Sequence, residues 1–362
     1  MKIINVIIQT CLIVCLCACQ KEKSPEELSH RTIIVYMAAD NDLSYDAIED
    51  IEEMKQGFSG NTTNLIVFVD PASAAPYILK IGRNAESRVK SYPEFVSTDA
   101  GNMQMVLNDI IGMYPAESYG LVLWSHGTSW LPAGSTLKSF GEDNGRQINV
   151  SELAEILPIR FDFIFFDACL MGAVEVAYGL RNRADFIVAS STEIVYTGFP
   201  YDKIIPEITK PVPDLITAAT AYIDFYRQLP GAYSSATVTV IDTKELENLA
   251  YATNRLIAGQ KFDMSTFDRT SVQRLDVYGE QYVFDFLDFL DKAFSDMDKS
   301  DLSEQLAKTI LYKDNTARFI DSYAITTYCG LSCYIPHPVR NDLNDSYKNM
   351  EWYTAAGLNQ IF

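Results

Sequence analysis

Two short stretches of the chain carry the residues best suited to covalent chemistry. LVLWSHG places His126 directly after an apolar run, and FIFFDAC places Cys169 two residues after another. A thiol with a pKa near ~8.5 is only a few per cent thiolate at neutral pH, so a nucleophilic cysteine needs a group that promotes its ionisation. An imidazole can do this and can also protonate a leaving amine. The two stretches therefore predict a cysteine nucleophile with His126 as its acid–base partner.

The chain offers few other histidines and cysteines that could form such a pair. The chain has three histidines and seven cysteines, and four of the cysteines fall in the first nineteen residues. His30 falls in an expected tether, and His337 lies in IPHP, a turn context with no thiol nearby in sequence. Taken alone, a strand-end cysteine or a single histidine is more often structural, and that alternative stays open on these residues.

The backbone around the pair suggests where negative charge would be stabilised. In parallel sheets the active crevice lies at the carboxyl ends of the strands, where both residues are expected. The amides of Gly127 and Cys169 are candidates to bind an oxyanion, and losing one such donor typically costs ~3 kcal/mol. A side chain at Gly127 would crowd the scissile carbonyl. A helix expected directly behind Cys169 would favour its thiolate.

The elements that must position these residues alternate between apolar strands and amphipathic helices. This alternation predicts an α/β fold with a mainly parallel central sheet covered by helices on both faces. The segment 127–147 reads as a long Gly/Ser-rich connection, a kind of loop that is often functional. The predicted strands are 32–39, 64–70, 119–125, 161–167, 185–191, 235–242 and CGLSCYIP, and the predicted helices are 43–58, 102–113, 148–157, 171–181, 243–259 and acidic segments over about 275–312.

Length, charge and composition exclude several classes of protein. The 362 residues can form one large α/β domain or two smaller ones, and 48% apolar residues indicate a globular protein. The formal charge of −19 argues against binding to nucleic acid or to an anionic lipid surface. Cys329 and Cys333 lie four residues apart on an expected strand, roughly 13 Å and too far for a disulfide, so both are predicted to be buried apolar residues.

The amino terminus, MKIINVIIQTCLIVCLCAC, is predicted to be an export signal. Its end, LCAC, resembles a bacterial lipobox, which predicts a lipoprotein signal peptide over 1–18 and lipidation of Cys19. The polar segment 19–30 would then be a tether and 31–362 the folded domain. This predicts a bacterial cell-envelope lipoprotein, on the periplasmic side or the cell surface, that meets the membrane through its lipid alone. An ordinary cleaved signal that is rich in cysteine is the alternative.

Five motifs together resemble a known family. RTIIVYMAADNDL, LVLWSHGTSW, FDFIFFDACLMG, ATVTVID and GLSCYIP occur in the order seen in clostripain-like cysteine peptidases, relatives of caspases, gingipains and legumain. The resemblance runs from about residue 32 to 336. It implies a caspase-like α/β/α sandwich with additional C-terminal helices, and an endopeptidase that cleaves after Arg or Lys by Cys–His acyl transfer.

The resemblance also implies a role for Asp167, which precedes Ala-Cys as the corresponding acid does in the family. Alternate residues of a strand face the same side, so Asp167 is expected to point towards the site that Cys169 serves and to bind a substrate Arg or Lys. A second pocket acid is plausible, and Glu193 and Asp202 cannot be ranked for it. The alternative for Asp167 is a helix cap.

Two further expectations come from the family. Its members often cleave themselves between the His and the Cys, which makes Lys138 and Arg146 candidate processing sites. Clostripain uses calcium, but ADND (39–42) and GEDNG (141–145) lack the spacing of an EF-hand loop and are predicted to be ordinary turns. We therefore expect no required cofactor and no metal site, with Ca²⁺ suggested by resemblance alone.

A different class of function stays open. A surface lipoprotein could keep the peptidase fold and bind peptide or glycan without turnover. His126, Cys169 and Asp167 together argue against it, because a binding module has no need of all three. The sequence carries no Gly-x-Ser-x-Gly, His-Glu-x-x-His, Walker or dinucleotide motif. The oligomeric state is not predicted.

Overall fold

The structure is a computed structural model that describes residues 28–60, 62–131 and 139–362. The predicted signal peptide, Cys19 and most of the predicted tether lie outside the described residues, as does Lys138. Among the helices of the described ranges, none combines the length and apolar character needed to cross a membrane.

A nine-stranded sheet forms the centre of the protein. Five neighbouring strands run parallel, and an antiparallel pair extends the sheet at each edge. The strands are, in chain order, β1 (Ser29–Ala39), β2 (Thr63–Pro71), β3 (Tyr77–Gly82), β4 (Ala85–Ser91), β5 (Ala116–Trp124), β8 (Phe161–Asp167), β9 (Ala184–Ala189), β10 (Thr237–Asp242) and β12 (Ile310–Asn315). Across the sheet they lie in the order β12-β10-β9-β8-β5-β1-β2-β3-β4.

Short strand pairs and eleven helices complete the described part of the chain. The pairs are β6 (Phe140–Asp143) with β7 (Arg146–Ile148), β11 (Val283–Asp285) with β15 (Ser332–Tyr334), and β13 (Arg318–Phe319) with β14 (Tyr323–Ala324). The helices are α1 (Ser44–Gly57), α2 (Ala100–Met113), α3 (Val150–Ile156), α4 (Val174–Leu180), α5 (Tyr201–Ile208), α6 (Leu215–Gln228), α7 (Leu246–Ile257), α8 (Phe286–Ala293), α9 (Ser300–Thr309), α10 (Asn341–Tyr347) and α11 (Glu351–Ala355).

Helices cover both faces of the sheet, which explains why its central strands read as continuous apolar runs. In β8, Phe163 and Phe165 pack on the face covered by α1, α5 and α6. Ile164 and Phe166 pack on the opposite face with α2, α3, α4, α7 and the C-terminal helices. The predicted α/β/α sandwich with a mainly parallel sheet and additional C-terminal helices is confirmed.

The fold begins earlier than the sequence suggested. Ser29 and His30 were assigned to the tether, but both belong to β1. The His30 ring makes hydrogen bonds of 3.0 Å to the Glu117 carboxylate and 2.9 Å to the carbonyl oxygen of Pro211. These contacts fix the first residues of the strand, so the assignment of His30 to a tether is wrong.

Three local expectations also change. The helix after Cys169 begins at Val174 rather than 171, because the amides of Leu170 and Gly172 bond to the carbonyls of Thr192 and Ser190 in an extended turn. The end of the acidic segment, 310–312, lies in edge strand β12. The final strand covers 332–334 alone; Cys329 and Cys333 are unpaired and buried, as predicted.

Candidate active site

The pairing of β5 with β8 brings His126 and Cys169 to one edge of the sheet. In the pairing of these two strands, Trp124 lies opposite Asp167. His126 lies two residues after Trp124, and Cys169 lies two residues after Asp167. The amide of Ser125 donates to the carbonyl oxygen of Asp167 at 3.2 Å, which continues the pairing past the strand ends. The predicted convergence of the two side chains is therefore present.

The imidazole of His126 is held by an acid that the sequence analysis did not select. Its Nε2 lies 2.7 Å from Oδ1 of Asp42, in the turn that follows β1. The carbonyl oxygen of His126 accepts a 2.9 Å hydrogen bond from the amide of Gly141. These contacts position the ring at the cleft surface, where the side chain keeps 31% of its accessible area.

The thiol of Cys169 is free, half-buried and hydrogen-bonded to one residue. Its Sγ accepts a hydrogen bond from the amide of Ile194 at 3.2 Å and donates to the carbonyl of the same residue at 3.7 Å. Burial, followed by the neighbouring charges of Glu193 and Asp167, raises the pKa of the Cys169 thiol to about 12. The expected help from a helix directly behind the sulfur is absent because α4 begins at Val174.

Gly127 is required for a different reason from the one expected. A Cβ at this position would lie 2.7 Å from the carbonyl oxygen of Cys169 and 3.0 Å from the Cβ of Ala168. The loop that follows β5 therefore packs directly on the backbone beside the nucleophile. A side chain at Gly127 would separate the two strand ends before it could affect a substrate.

Asp167 lies at the base of the same cleft. It is 5% exposed, and its Oδ2 accepts hydrogen bonds from the amide of Phe199 at 3.2 Å and the hydroxyl of Tyr201 at 2.9 Å. Burial raises its pKa. Helix α4 has no side-chain cap, so the alternative of a cap on that helix is wrong.

The buried acid that lies near Asp167 is Asp50 of α1, which was not one of the two residues suggested by the sequence, Glu193 and Asp202. Its Oδ2 accepts a 2.7 Å hydrogen bond from the indole Nε1 of Trp124. Glu193 instead accepts from the amide of Val277. Neither Asp202 nor Asp50 lines the cleft, but Asp50 lies near Asp167 at Gly198. A sequence signal for Asp50 existed, because it occupies a core position of an amphipathic helix whose other buried residues are Ala47, Ile51 and Met54.

The cleft between these residues has a volume of about 220 Å³. One wall is the segment 194–198, and the other is formed by the ends of β5 and β8 together with Leu43. A larger hollow of about 360 Å³ lies near Val212 and Leu215, but its lining holds no cysteine or histidine. Because Cys169 and His126 line the smaller cleft, that cleft is the candidate site.

The two processing candidates lie in different surroundings. Arg146 is exposed in β7, paired with Asp143 of β6. The turn between these strands is formed by Asn144 and Gly145, both with positive φ. Part of the predicted long connection is thus a β-hairpin, and cleavage after Arg146 would require this hairpin to open. Lys138 lies outside the described residues.

The oxygen-rich segments do not fit a calcium ion. They meet, but the amide group of Asn144 donates to Asp40 at 3.2 Å and to Asp143 at 3.0 Å, while Asn41 donates to the carbonyl of Glu142 at 2.7 Å. The acids are therefore engaged by donors. Within residues 28–60, 62–131 and 139–362, no group of three or more His, Cys, Asp or Glu is arranged to hold a metal ion.

A thiol and an imidazole at adjacent strand ends of a caspase-like sandwich, above a buried acid, define a class: cysteine proteases of the caspase-like fold. Comparison with known sequences narrows the class. The profile of the clostripain family, peptidase family C11, matches residues 35–354. The chain belongs to the clostripain family, and the resemblance found in the motifs is confirmed.

Individual relatives support this assignment. Clostripain of Hathewaya histolytica is 32% identical over 49% of this chain, but the match covers only 42% of that protein. The chain therefore matches less than half the length of this curated relative. A secreted C11 cysteine protease from Bacteroides thetaiotaomicron, solved with an irreversible peptide inhibitor, is 29% identical with a TM-score of 0.80 over 91% of this chain and 99% of that one. An inactive zymogen C11 protease from Parabacteroides distasonis is 29% identical with a TM-score of 0.79 over 91% and 98%.

Proposed function

We propose that this protein is an exported, lipid-anchored cysteine endopeptidase that cleaves peptides after Arg or Lys. The observation that carries the proposal is the placement of His126 and Cys169 on adjacent strand ends above the buried carboxyl of Asp167. This arrangement provides a nucleophile, a proton donor and a cation-binding group in one cleft.

The reaction is acyl transfer. The Cys169 thiolate attacks the scissile carbonyl carbon, and the carbonyl oxygen becomes an oxyanion near the amides of Gly127 and Cys169. Collapse of this intermediate breaks the C–N bond, and His126 gives its proton to the leaving amine. Water then hydrolyses the thioester and restores the thiol. Asp42, bound to Nε2, leaves Nδ1 as the nitrogen that transfers the proton.

Asp167 would select the side chain before the scissile bond. Its Oδ2 is engaged by the chain's own donors, and the carboxyl opens on the cleft that Cys169 shares. A buried carboxylate binds a guanidinium or ammonium group more strongly than an exposed one, because water screens it less. A neutral side chain would leave that charge without a partner.

The resting thiol supports activation by cleavage. Burial raises the pKa of the Cys169 thiol to about 12, so the thiol is essentially un-ionised at pH 7, and we propose that the surroundings of the sulfur open to water before attack. We propose self-cleavage in the 127–147 connection as the trigger. Lys138 is the favoured site, because Arg146 is held in a hairpin strand.

Two parts of the proposal remain: how the protein is anchored to the cell envelope, and whether its activity depends on a metal ion. Removal of 1–18 and lipidation of Cys19 would anchor the domain; a Cys19→Ala variant should then move from the membrane fraction to the soluble fraction. The acyl-transfer steps use groups of this chain alone. We therefore expect cleavage to persist in EDTA.

The experiment that tests the proposal uses fluorogenic peptides that differ only in the residue before the reporter: Arg, Lys or citrulline, the neutral analogue of Arg. The protein, before and after limited trypsin nicking, should release the reporter from Arg and Lys peptides but not from citrulline. Cys169→Ala should be inactive. Asp167→Asn should lose the preference for Arg over citrulline and still be alkylated at Cys169.

A non-catalytic binding protein is the second candidate, favoured by the half-buried thiol of Cys169, whose pKa is raised to about 12 by desolvation. It predicts binding of the peptides without release of the reporter, both before and after nicking. Equal cleavage of the Arg and citrulline peptides would instead leave a peptidase but remove the role of Asp167.

A further inference from the structure

Two buried carboxyl groups lie beside the substrate cleft. Asp50 and Asp167 are only 6% and 5% exposed. An ideal side-chain carbon built on Gly198 would lie 3.1 Å from Oδ2 of Asp167 and 3.5 Å from Oδ2 of Asp50. Gly198 and Asp167 line the cleft, and because Gly198 has no side chain, Oδ2 of Asp50 lies close behind the lining at the same point.

The hydrogen-bond donors on this pair are neutral. The indole of Trp124 donates to Asp50, and the amide of Phe199 and the hydroxyl of Tyr201 donate to Asp167. The charged groups that act most strongly on the pair are the acids Asp46 and Glu53. The titratable and charged groups facing the pair are Asp46 and Glu53 on α1, Tyr201 and Lys203 on α5, Tyr222 and Tyr226 on α6, and His126 and Cys169 at the strand ends.

Two adjacent buried carboxyls cannot both ionise readily without a nearby cation. Burial raises the pKa of Asp50, and the charge of Asp167 raises it further; burial also raises the pKa of Asp167. With the pocket empty, the pair therefore carries a proton at neutral pH. A cation placed within about 4–6 Å would lower such a pKa by about 1–3 units.

We propose that Asp50 and Asp167 act as a proton-sharing pair: the empty pocket holds one proton between the two carboxyls, and an entering Arg or Lys side chain displaces it to solvent. This inference rests on the proposed function and adds Asp50 to its specificity pocket. The proton leaves a carboxyl for bulk water, and no covalent bond to carbon changes. Asp50 acts through Asp167, so it is a tuning residue rather than a catalytic one.

The exchange has a consequence for selectivity. A neutral side chain cannot displace the proton and meets an uncharged second carboxyl. A cationic side chain meets two carboxylates once the proton has left. Cation binding should therefore strengthen as pH rises, up to about tenfold per pH unit while one proton is released.

The test measures proton release directly. A background of Cys169→Ala with His126→Ala prevents cleavage and removes both catalytic groups as proton sources. An acetylated peptide amide ending in Arg is titrated into this protein by calorimetry at pH 8, in phosphate and in Tris, whose heats of ionisation differ. We expect release of between half and one proton per peptide, and affinity that rises between pH 6.5 and 9.

Asp50→Asn in the same background is the decisive variant, since asparagine keeps an oxygen for the Trp124 indole. It should abolish the proton release and flatten the pH dependence. Glu52→Gln, at an exposed position of the same helix, is the matched control and should leave both unchanged. If Asp50→Asn does not fold, the parent measurement decides by itself, because a parent that releases no proton overturns the proposal.

The citrulline peptide separates this proposal from the proposed function. It should bind weakly and release no proton. Stronger binding of the Arg peptide than the citrulline peptide, with the same proton release in parent and Asp50→Asn, would overturn the role of Asp50 alone. Loss of proton release in Glu52→Gln would also overturn it. Equal binding of the two peptides would count against the Arg/Lys specificity itself.

Discussion

His126 can serve as an acid–base group only while its ring keeps one orientation, and Asp42 provides the contact that fixes it. The 2.7 Å distance between Nε2 and Oδ1 is that of a charge-assisted hydrogen bond. Because 82% of the Asp42 side chain is accessible to water, this contact is screened. Its contribution is therefore orientation of the ring more than charge.

Replacing Asp42 tests this positioning role. Asp42→Ala should lower kcat about tenfold to a hundredfold with little change in KM, since the ring loses its support but the pocket does not. Asp42→Asn, which retains an acceptor oxygen, should recover most of the loss. Glu49→Gln, at an exposed position of α1, is the matched control. Equal activity of Asp42→Ala and parent would show that the backbone alone holds the ring.

The resting thiol can be followed by alkylation. With a pKa of about 12, the thiolate fraction of Cys169 increases with pH throughout the accessible range. The rate of reaction with iodoacetamide, measured by mass spectrometry of the un-nicked protein, should rise about tenfold per pH unit between pH 7 and 9. Nicking should raise the rate at pH 7. A fast, pH-independent rate before nicking would mean that the thiol is already ionised.

His126, Cys169 and Asp167 could be chosen from sequence because each lies at or just after the end of an apolar strand in a short motif. Asp42 and Asp50 could not be paired with them in the same way. Asp42 precedes His126 by 84 residues, and only the parallel pairing of β1 with β5 brings them together. The sequence could show Asp50 as an acid on the buried face of helix α1, but it could not show that Asp50 lies near Asp167.

At the scale of elements, the hairpin formed by β6 and β7 packs against the residues that directly follow β5, Ser125 and His126. The amide of Glu142 donates a hydrogen bond to Ser125 Oγ at 3.1 Å, and the amide of the preceding residue, Gly141, donates to the carbonyl oxygen of His126. Asp143 ties this hairpin to Ser97, whose amide and hydroxyl both donate to its Oδ2. The hairpin therefore links Ser125 and His126 to the segment that precedes α2 and contains Ser97.

The interpretation of 141–145 as part of a loop missed this hairpin. Asn-Gly is a strong signal for a tight hairpin turn, and Asn144 and Gly145 adopt the φ values of 48° and 74° that such a turn needs. The flanking strands are only four and three residues long, so apolar alternation had no length over which to show. Turn chemistry was the better guide here than periodicity.

The buried pair of Asp70 and Asp143 gives a prediction for this element. Burial, with a contribution from Asp143, raises the pKa of Asp70, so the folded protein holds a proton that the unfolded chain would release. The stability due to this proton is complete at acid pH and is lost as pH rises through the raised pKa. Asp70→Asn should therefore raise the melting temperature at pH 8.5 more than at pH 6.

Calcium provides the control for that measurement. The two carboxyls offer fewer oxygen ligands than the six to eight that Ca²⁺ takes. Millimolar CaCl₂ and EDTA should therefore give the same melting temperature for the parent and for Asp70→Asn. A calcium-dependent increase in the parent that Asp70→Asn abolishes would contradict the proton assignment and indicate a cation at this pair.

At the scale of the whole molecule, a buried acid is one of the groups that join the C-terminal part of the chain to helix α4. Glu175 of α4 is 1% exposed, and its Oε1 accepts hydrogen bonds from the amide of Tyr334 at 2.9 Å and the hydroxyl of Tyr347 at 3.0 Å. Strand β15 and helix α10 are thereby fixed to the helix that follows Cys169. The sequence predicted the additional helices but not this connection, because nothing local marks Glu175 as buried.

The state of Glu175 makes the stability of the folded domain depend on pH. Burial raises the pKa of Glu175 to about 7, whereas an unfolded glutamate titrates near ~4.3. The folded state therefore binds more protons than the unfolded state between these values. The contribution is complete below the lower value and is lost as pH rises through 7, an effect on the order of 3 kcal/mol.

Glu175→Gln should remove this dependence, because glutamine keeps an acceptor for both donors and does not titrate. Urea unfolding at pH 5.5 and pH 8 should show a smaller fall in unfolding free energy for Glu175→Gln than for the parent. Glu193, whose pKa burial also raises to about 7, will leave part of the fall in place. Glu152→Gln, at an exposed position of α3, should behave like the parent. If Glu175→Gln and the parent lose equal stability over this interval, Glu175 is already ionised in the folded protein. The hydrogen bonds from Tyr334 and Tyr347 would then be accepted by a carboxylate rather than by a protonated carboxyl group.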